Sequence, residues 1–220
     1  SAANVIDQIT VKDRVPTVRV TFPEGIRIEE MAEIAQKAGF GTSQQFLEAA
    51  AQAKLPDDLA AGLPAGQSLQ GYLFPDTYIM PVGSTPAQLI DLMIKTFARR
   101  FTPDLRAAAQ AHGLTVHQAV TLASIVEREA VVASERPLIA GVFYNRLAAN
   151  DRLGADPTVQ FVVAADPASV AKFGWWKKEL TLEDLQVQSP YNTRLLTGLP
   201  PGPIANPGLA SLEAVANPTA

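Results

Sequence analysis

Between residues 115 and 131 the apolar positions do not form a stripe. Val116, Ala119, Val120, Leu122, Ala123, Ile125 and Val126 cover nearly the whole circumference of a helix, which predicts a helix buried at the centre of a domain. The flanking segments carry one-sided patterns. Ile28, Met31, Ala32, Ile34 and Ala35 keep helical spacing until Gly39. Phe46, Leu47 and Ala50 predict a second helix starting near Thr42 or Ser43. Pro86 suits the first turn of a helix running to about Phe101 through Leu89, Ile90, Met93, Ile94 and Phe97. After the central helix, Ser134 is placed to cap another, with Leu138, Ile139, Val142, Phe143 and Leu147 as its core face. A short helix follows Asp156-Pro157, and a last one starts near Leu209.

Alternation of period two is confined to residues 11–22, where Val11, Val15, Val18, Val20 and Phe22 predict one or two short strands broken at Pro16. The aromatic, Pro-broken run Gly71 to Tyr78 predicts a short edge strand and turn. Residues 55–70 predict a loop with at most one helical turn. Many helices around a few short strands indicate an α+β fold.

Composition narrows the function. With 47% apolar and 18% charged residues, the 220-residue chain can bury a sizeable core and carry a smaller appendage. A net charge of −4 argues against nucleic acid as a partner. The absence of cysteine removes disulfides, thiolate metal sites and thiol nucleophiles. His112 and His117, five apart, complete no ligand spacing and are expected at solvated helix ends, with a catalytic or zinc pair as the alternative; the chemistry proposed below implies no metal or organic cofactor.

Candidate chemistry gathers in three places. Glu127 and Glu129 close the central helix. Two residues apart they lie about 200° apart around the axis and cannot share a face. One of them, set in a half-apolar wall, would have the raised pKa a general acid needs; a plain charged helix end with Arg128 as partner is the alternative. Asn145-Arg146 and Asp156-Pro157-Thr158 form the second place, although Asp156 stands where a helix N-cap would. The third is Ser189-Pro190-Tyr191-Asn192-Thr193 with the Pro/Gly-rich run Gly198 to Ile204, which suits a sugar or serves as a rigid structural loop. Trp175-Trp176 suits sugar stacking, or core or lid packing.

Taken together these residues resemble one family. Ala123-Ser124-Ile125-Val126-Glu127-Arg128-Glu129, Val142-Phe143-Tyr144-Asn145-Arg146-Leu147, Asp156-Pro157-Thr158-Val159, Tyr191-Asn192-Thr193 and Gly198-Leu199-Pro200-Pro201-Gly202-Pro203-Ile204 are similar in order and spacing to the YceG-like endolytic murein transglycosylases. Upstream, Glu24-Gly25 and Gly71-Tyr72-Leu73-Phe74-Pro75-Asp76-Thr77-Tyr78 match as well, so the resemblance covers roughly residues 20–218.

The resemblance implies a bacterial cell-wall lyase acting on peptidoglycan glycan strands. It implies Glu129 as the catalytic acid/base and Glu127 as a structural or supporting residue beside the substrate site. Asn145, Asp156, Tyr191, Asn192, Thr193 and Gln70 are then the candidates for binding and orienting glycan. It also implies residues 1–20 as the remnant of a LysM-like module or linker, a catalytic domain over 21–220 with a smaller helical subdomain at about 24–70, and a further tail beyond Ala220. A membrane helix further upstream would anchor the domain on the extracytoplasmic side of the inner membrane, beside peptidoglycan polymerases. Three positions depart from the family: Gln70, where Glu is usual, and Gly154 and Arg194. A hydrolytic muramidase and a non-catalytic peptidoglycan-binding scaffold are the competing readings.

Overall fold

The computed structural model describes residues 15–60, 62–64, 66 and 68–219. The sheet among them has two antiparallel strands, β1 (Thr17–Thr21) and β2 (Thr77–Pro81), in the register Val20↔Tyr78. Val20, Tyr78 and Met80 point inward while Arg19, Thr21, Thr77 and Ile79 face out, the alternation of a half-buried ribbon. β1 begins directly after Pro16, where the sequence predicts a break; Val11 lies outside the described residues. The edge strand expected from Gly71 starts later, at Thr77. Residues 69–73 instead turn, and Gly71 sits at φ +90° with its Cα against Pro203. A Cβ there would lie 2.6 Å from Pro203 and 2.9 Å from Val120, so only glycine fits.

One core joins this sheet to three helices: α1 (Ile28–Lys37), α2 (Ser43–Gln52) and, past the short α3 (Asp57–Ala60), α4 (Pro86–Arg100). Thr42 and Thr85 cap α2 and α4 reciprocally with Gln45 and Gln88. Met31, Ala35, Phe40, Phe46, Leu89, Ile90 and Met93 fill the space between them. Residues 28–50 therefore share their core with the sheet and α4, whereas Leu59 of α3 belongs to the other core.

The second core surrounds α6 (Val116–Glu129), whose residues 119, 120, 122, 123, 125 and 126 are all buried. α5 (Pro103–Ala111), α7 (Arg136–Ala148) and α11 (Leu209–Ala216) pack against it. Phe97 and Phe101 at the end of α4 reach into this core, so α4 spans both. The sequence pattern does not announce α5, because an alanine-rich helix with few large apolar residues leaves no clear stripe.

Two expectations about α7 need correction. Ser134 does not cap it: residues Ala133–Glu135 form a 3₁₀ turn, and α7 opens at Arg136-Pro137 with no side-chain cap. Nor is its apolar stripe a core face throughout. The helix approaches its neighbours through Ala140, Gly141 and Phe143, while Leu138 is 53% and Val142 41% exposed. His117 also differs from expectation. It is buried, its Nδ1 lying 2.9 Å from Tyr72 Oη and its Nε2 2.8 Å from Pro201 O. A carbonyl can only accept, so Nε2 carries a proton. His112 is exposed at the end of α5, as predicted. The remaining short helices are α8 (Asp156–Val163), α9 (Pro167–Phe173) and α10 (Leu182–Leu185).

Candidate active site

Glu129 is the last residue of α6, where the buried helix emerges into a cleft of about 370 Å³. One wall is the apolar stripe of α7, with Leu138, Ile139, Val142 and Phe143. The rest comes from Leu153, Gly154 and the charged Glu135 and Arg146. The exposed apolar residues of α7 thus have a place: they face the cleft.

The setting raises the Glu129 pKa. Burial is the main cause and the negative charge of Asp156 the second; the Asp156 N–H and the guanidinium groups of Arg194 and Arg146 pull in the other direction. The C-terminal end of a helix is also the end at which a carboxylate is least welcome. A carboxyl whose pKa is raised beside an apolar wall is better suited to carry a proton and donate it.

Glu127 turns the other way. Its Oε1 accepts from Arg136 Nη2 (3.0 Å) and its Oε2 from the Gly208 N–H (3.0 Å) and the Ser211 hydroxyl (2.7 Å). Three donors satisfy this buried side chain and tie α6 to the starts of α7 and α11. It exposes too little surface to touch a ligand.

The Tyr-Asn-Thr loop lies over the start of α8. Thr193 Oγ1 accepts from the Ala155 N–H (3.1 Å) and bonds Thr158 Oγ1 (2.9 Å). Asn192, fully buried, donates to Leu185 O and Val187 O and accepts from the Arg194 N–H at 3.0 Å. Both side chains are engaged in holding the loop. Tyr191 is half-buried against Phe161, ring centroids 4.9 Å apart. Asp156 is not the N-cap, a position held by Ala155; it is the first residue of α8, and its Oδ1 meets Arg194 Nε at 2.5 Å.

Gln70 is buried between the start of α1 and the Pro/Gly-rich run. Its Oε1 accepts from the Ile28 N–H and its Nε2 donates to Ile204 O, both at 2.7 Å. The amide suits this place better than a carboxylate, which has no proton for Ile204 O. Asn145 is exposed on α7 and does not line the cleft. The structure therefore brings Glu129 and Asp156 together, and keeps Asn192, Thr193, Gln70 and Glu127 as buried supports.

Residue-by-residue reading of the sequence missed Glu135, and named Arg146 beside Asn145 without placing it in a cleft. Arg146 had a signal: it ends the stripe Leu138–Ile139–Val142 at helical spacing, a charge closing an apolar face. Trp175 and Trp176 do not face the cleft wall. Trp176 stacks on Arg128, 3.8 Å from guanidinium carbon to ring centre, and donates to Glu30. Trp175 covers Arg27, which lies between it and Phe161. Larger clefts of about 480 and 710 Å³ lie beside β2–α4 and α8–α10. Neither contains Glu129, and size alone does not locate chemistry. Among the described residues no group of three His, Asp or Glu side chains is arranged to hold a metal ion, and no helix is long and apolar enough to cross a membrane.

Comparisons with known proteins agree with one another. The model of the YceG-like family matches residues 1–220. An endolytic murein transglycosylase of Bacillus subtilis is 38% identical over 151 residues, 68% of this chain and 39% of its own length. Another, from Streptococcus pneumoniae serotype 2, is 30% identical over 217 residues, 91% of this chain and 38% of its own length. The chain thus spans about two fifths of the length of these curated relatives. The crystal structure of a YceG-like protein from Listeria monocytogenes superposes with a TM-score of 0.78 at 28% identity, covering 100% of this chain and 73% of that one.

Proposed function

Since the chain belongs to the YceG-like family, we propose that it is the catalytic part of an endolytic peptidoglycan lytic transglycosylase with Glu129 as its acid/base. The observation that carries this reading is the carboxyl of Glu129 at the point where a buried helix opens into a cleft, its pKa raised chiefly by burial. Protonated Glu129 donates to the glycosidic oxygen between N-acetylmuramic acid and N-acetylglucosamine. The bond to the muramic C1 breaks, and the positive charge building there is met by the sugar's acetamido group and nearby dipoles. Glu129, now a carboxylate, takes the proton of the same sugar's C6 hydroxyl as that oxygen bonds to C1. A 1,6-anhydro end results and no water is consumed.

Because the nucleophile belongs to the substrate, one carboxyl suffices, and holding the ring in place provides a high effective concentration. The apolar wall of α7 excludes water from that step. Asp156 lies close enough to influence Glu129 but is engaged by Arg194, an arrangement that favours a supporting role over activation of water. Asp156 and Tyr191 have accessible groups for orienting glycan at the site, and Asn145, exposed outside the cleft, could meet only a strand extending beyond it; Asn192, Thr193, Glu127 and Gln70 act through the segments they hold. A membrane anchor upstream and a neighbouring glycan polymerase belong to the same reading.

Mass spectrometry of fragments from uncrosslinked peptidoglycan tests it, with Glu129→Gln alongside. Anhydro-ended fragments, absent with the variant, are expected. Reducing ends would make the protein a muramidase. Sacculus binding without turnover by a chain carrying its upstream and downstream segments would make it a scaffold.

A further inference from the structure

We infer that Arg194, through its ion pair with Asp156, is a positioning residue that sets the electrostatic field at Glu129 and so the pH window of cleavage. The inference rests on Glu129 being the acid of the proposed reaction. Nε and Nη2 of Arg194 both lie 2.5 Å from Asp156 Oδ1. The backbone on each side of the pair is fixed. The Arg194 N–H donates to buried Asn192 at 3.0 Å, and the adjacent Thr193 is bonded to Ala155 and Thr158 at the entry to α8. Asp156 itself follows Gly154, a cleft residue shared with Glu129, by two positions.

The charged groups facing Glu129 come from every side of the cleft. Asp156 stands on α8, Arg194 on the loop above it, Arg146 on α7 and Glu135 on the turn before α7. Arg128 and Glu127 on α6 itself are turned away, toward Gly25 and toward Arg136 and Ser211. Arg146 is held by Leu153 O. What Glu129 feels from α8 therefore depends on whether Arg194 is attached to Asp156. With it, the pair is a dipole; without it, Asp156 is a bare negative charge that resists ionisation of Glu129. The partners are 38% and 50% exposed, so the pair adds little to stability and its effect is local.

The test is the pH dependence of glycan cleavage by the wild type, Arg194→Gln, Arg194→Lys, Asp156→Asn and the Arg194→Gln/Asp156→Asn double variant. It is joined by thermal melts and by NMR titration of the Glu129 carboxyl carbon. Arg194→Gln is expected to melt with the wild type while its alkaline limb, where Glu129 loses its proton, moves to higher pH. Lysine should restore the wild-type limb. Asp156→Asn should move it to lower pH, and the double variant should return toward the wild type. The NMR titration should follow the same order. A limb and titration unchanged in Arg194→Gln, or a change that lysine does not reverse, would overturn the inference. If Arg194→Gln does not fold, the double variant against Asp156→Asn alone decides in the same way: its limb and titration should lie at higher pH, and coincidence of the two would overturn the inference. If the wild type cuts no glycan, the functional reading fails, yet the NMR titration still decides the role of the pair.

Discussion

Glu127 and Glu129 sit two residues apart on α6 and serve opposite sides of it: Glu127 is bonded by Arg136, Gly208 and Ser211 in the interior, while Glu129 opens into the cleft. One carboxylate is satisfied by three donors, and the other has its pKa raised by burial and by the charge of Asp156. A single helix end thus supplies both a structural anchor and a proton donor.

Removing the Glu129 carboxyl is expected to lower cleavage by about 10²–10⁴-fold or more, the range of a general acid, with the fold intact. Stability should move the other way. A carboxyl whose folded pKa is raised binds its proton more tightly in the native state. Stability is therefore lost as pH rises from the ordinary carboxyl range through the raised value. Glu129→Gln should melt above the wild type at neutral pH, and the difference should vanish in acid. Thermal melts across pH 4–8 check the sign.

Glu127→Ala should behave as a core mutation. It leaves Arg136, Ser211 and the Gly208 N–H without their shared acceptor, and breaking a buried pair costs about 3–5 kcal/mol. Urea denaturation measures the loss. The cleavage of whatever fraction stays folded should keep the wild-type pH profile, because this carboxylate is turned away from the cleft.

At Gln70, substitution by Glu would place an oxygen against Ile204 O in place of a donor. An expected loss of about 1–3 kcal/mol follows from the unsatisfied pair. The loss should be present at neutral pH and shrink as pH falls, since a protonated carboxyl can donate. Denaturation at two pH values reads this directly, and a Gln70→Glu protein as stable as the wild type at pH 7 would count against the assigned hydrogen bonds.

His117→Phe keeps the ring volume but strands Tyr72 Oη and Pro201 O in the interior. A cost of about 1–3 kcal/mol per stranded group is expected. Amide exchange in residues 198–204 should speed up, because the histidine links that loop to α6. Unchanged exchange there would mean that the loop is held by its prolines instead.

Gly71→Ala should be among the most damaging of small changes. Its positive φ and its closeness to the Pro203 ring leave no compliant neighbour. At Gly208, by contrast, the obstructing atoms belong to the flexible Glu24 carboxylate, which can move aside. The prediction is a large drop in melting temperature for the first substitution and a small one for the second.

Periodicity by itself was enough to locate the all-round apolar helix α6, the capped helices α2 and α4, the strand after Pro16, and the divergence of Glu127 from Glu129. These are local properties: they follow from the angle per residue, from capping chemistry and from the missing N–H of proline. The ordered motifs likewise sufficed for the family. What each polar side chain touches was decided only by tertiary packing. His117 is buried because the Pro201 loop crosses α6; Asp156 binds Arg194 because residues 189–194 return across α8; and Leu138 and Val142 face a cleft because α7 docks through Ala140 and Gly141. An apolar residue in sequence records only that it avoids water. Whether it finds a core or a ligand's cleft depends on contacts made by distant parts of the chain, which no local pattern encodes.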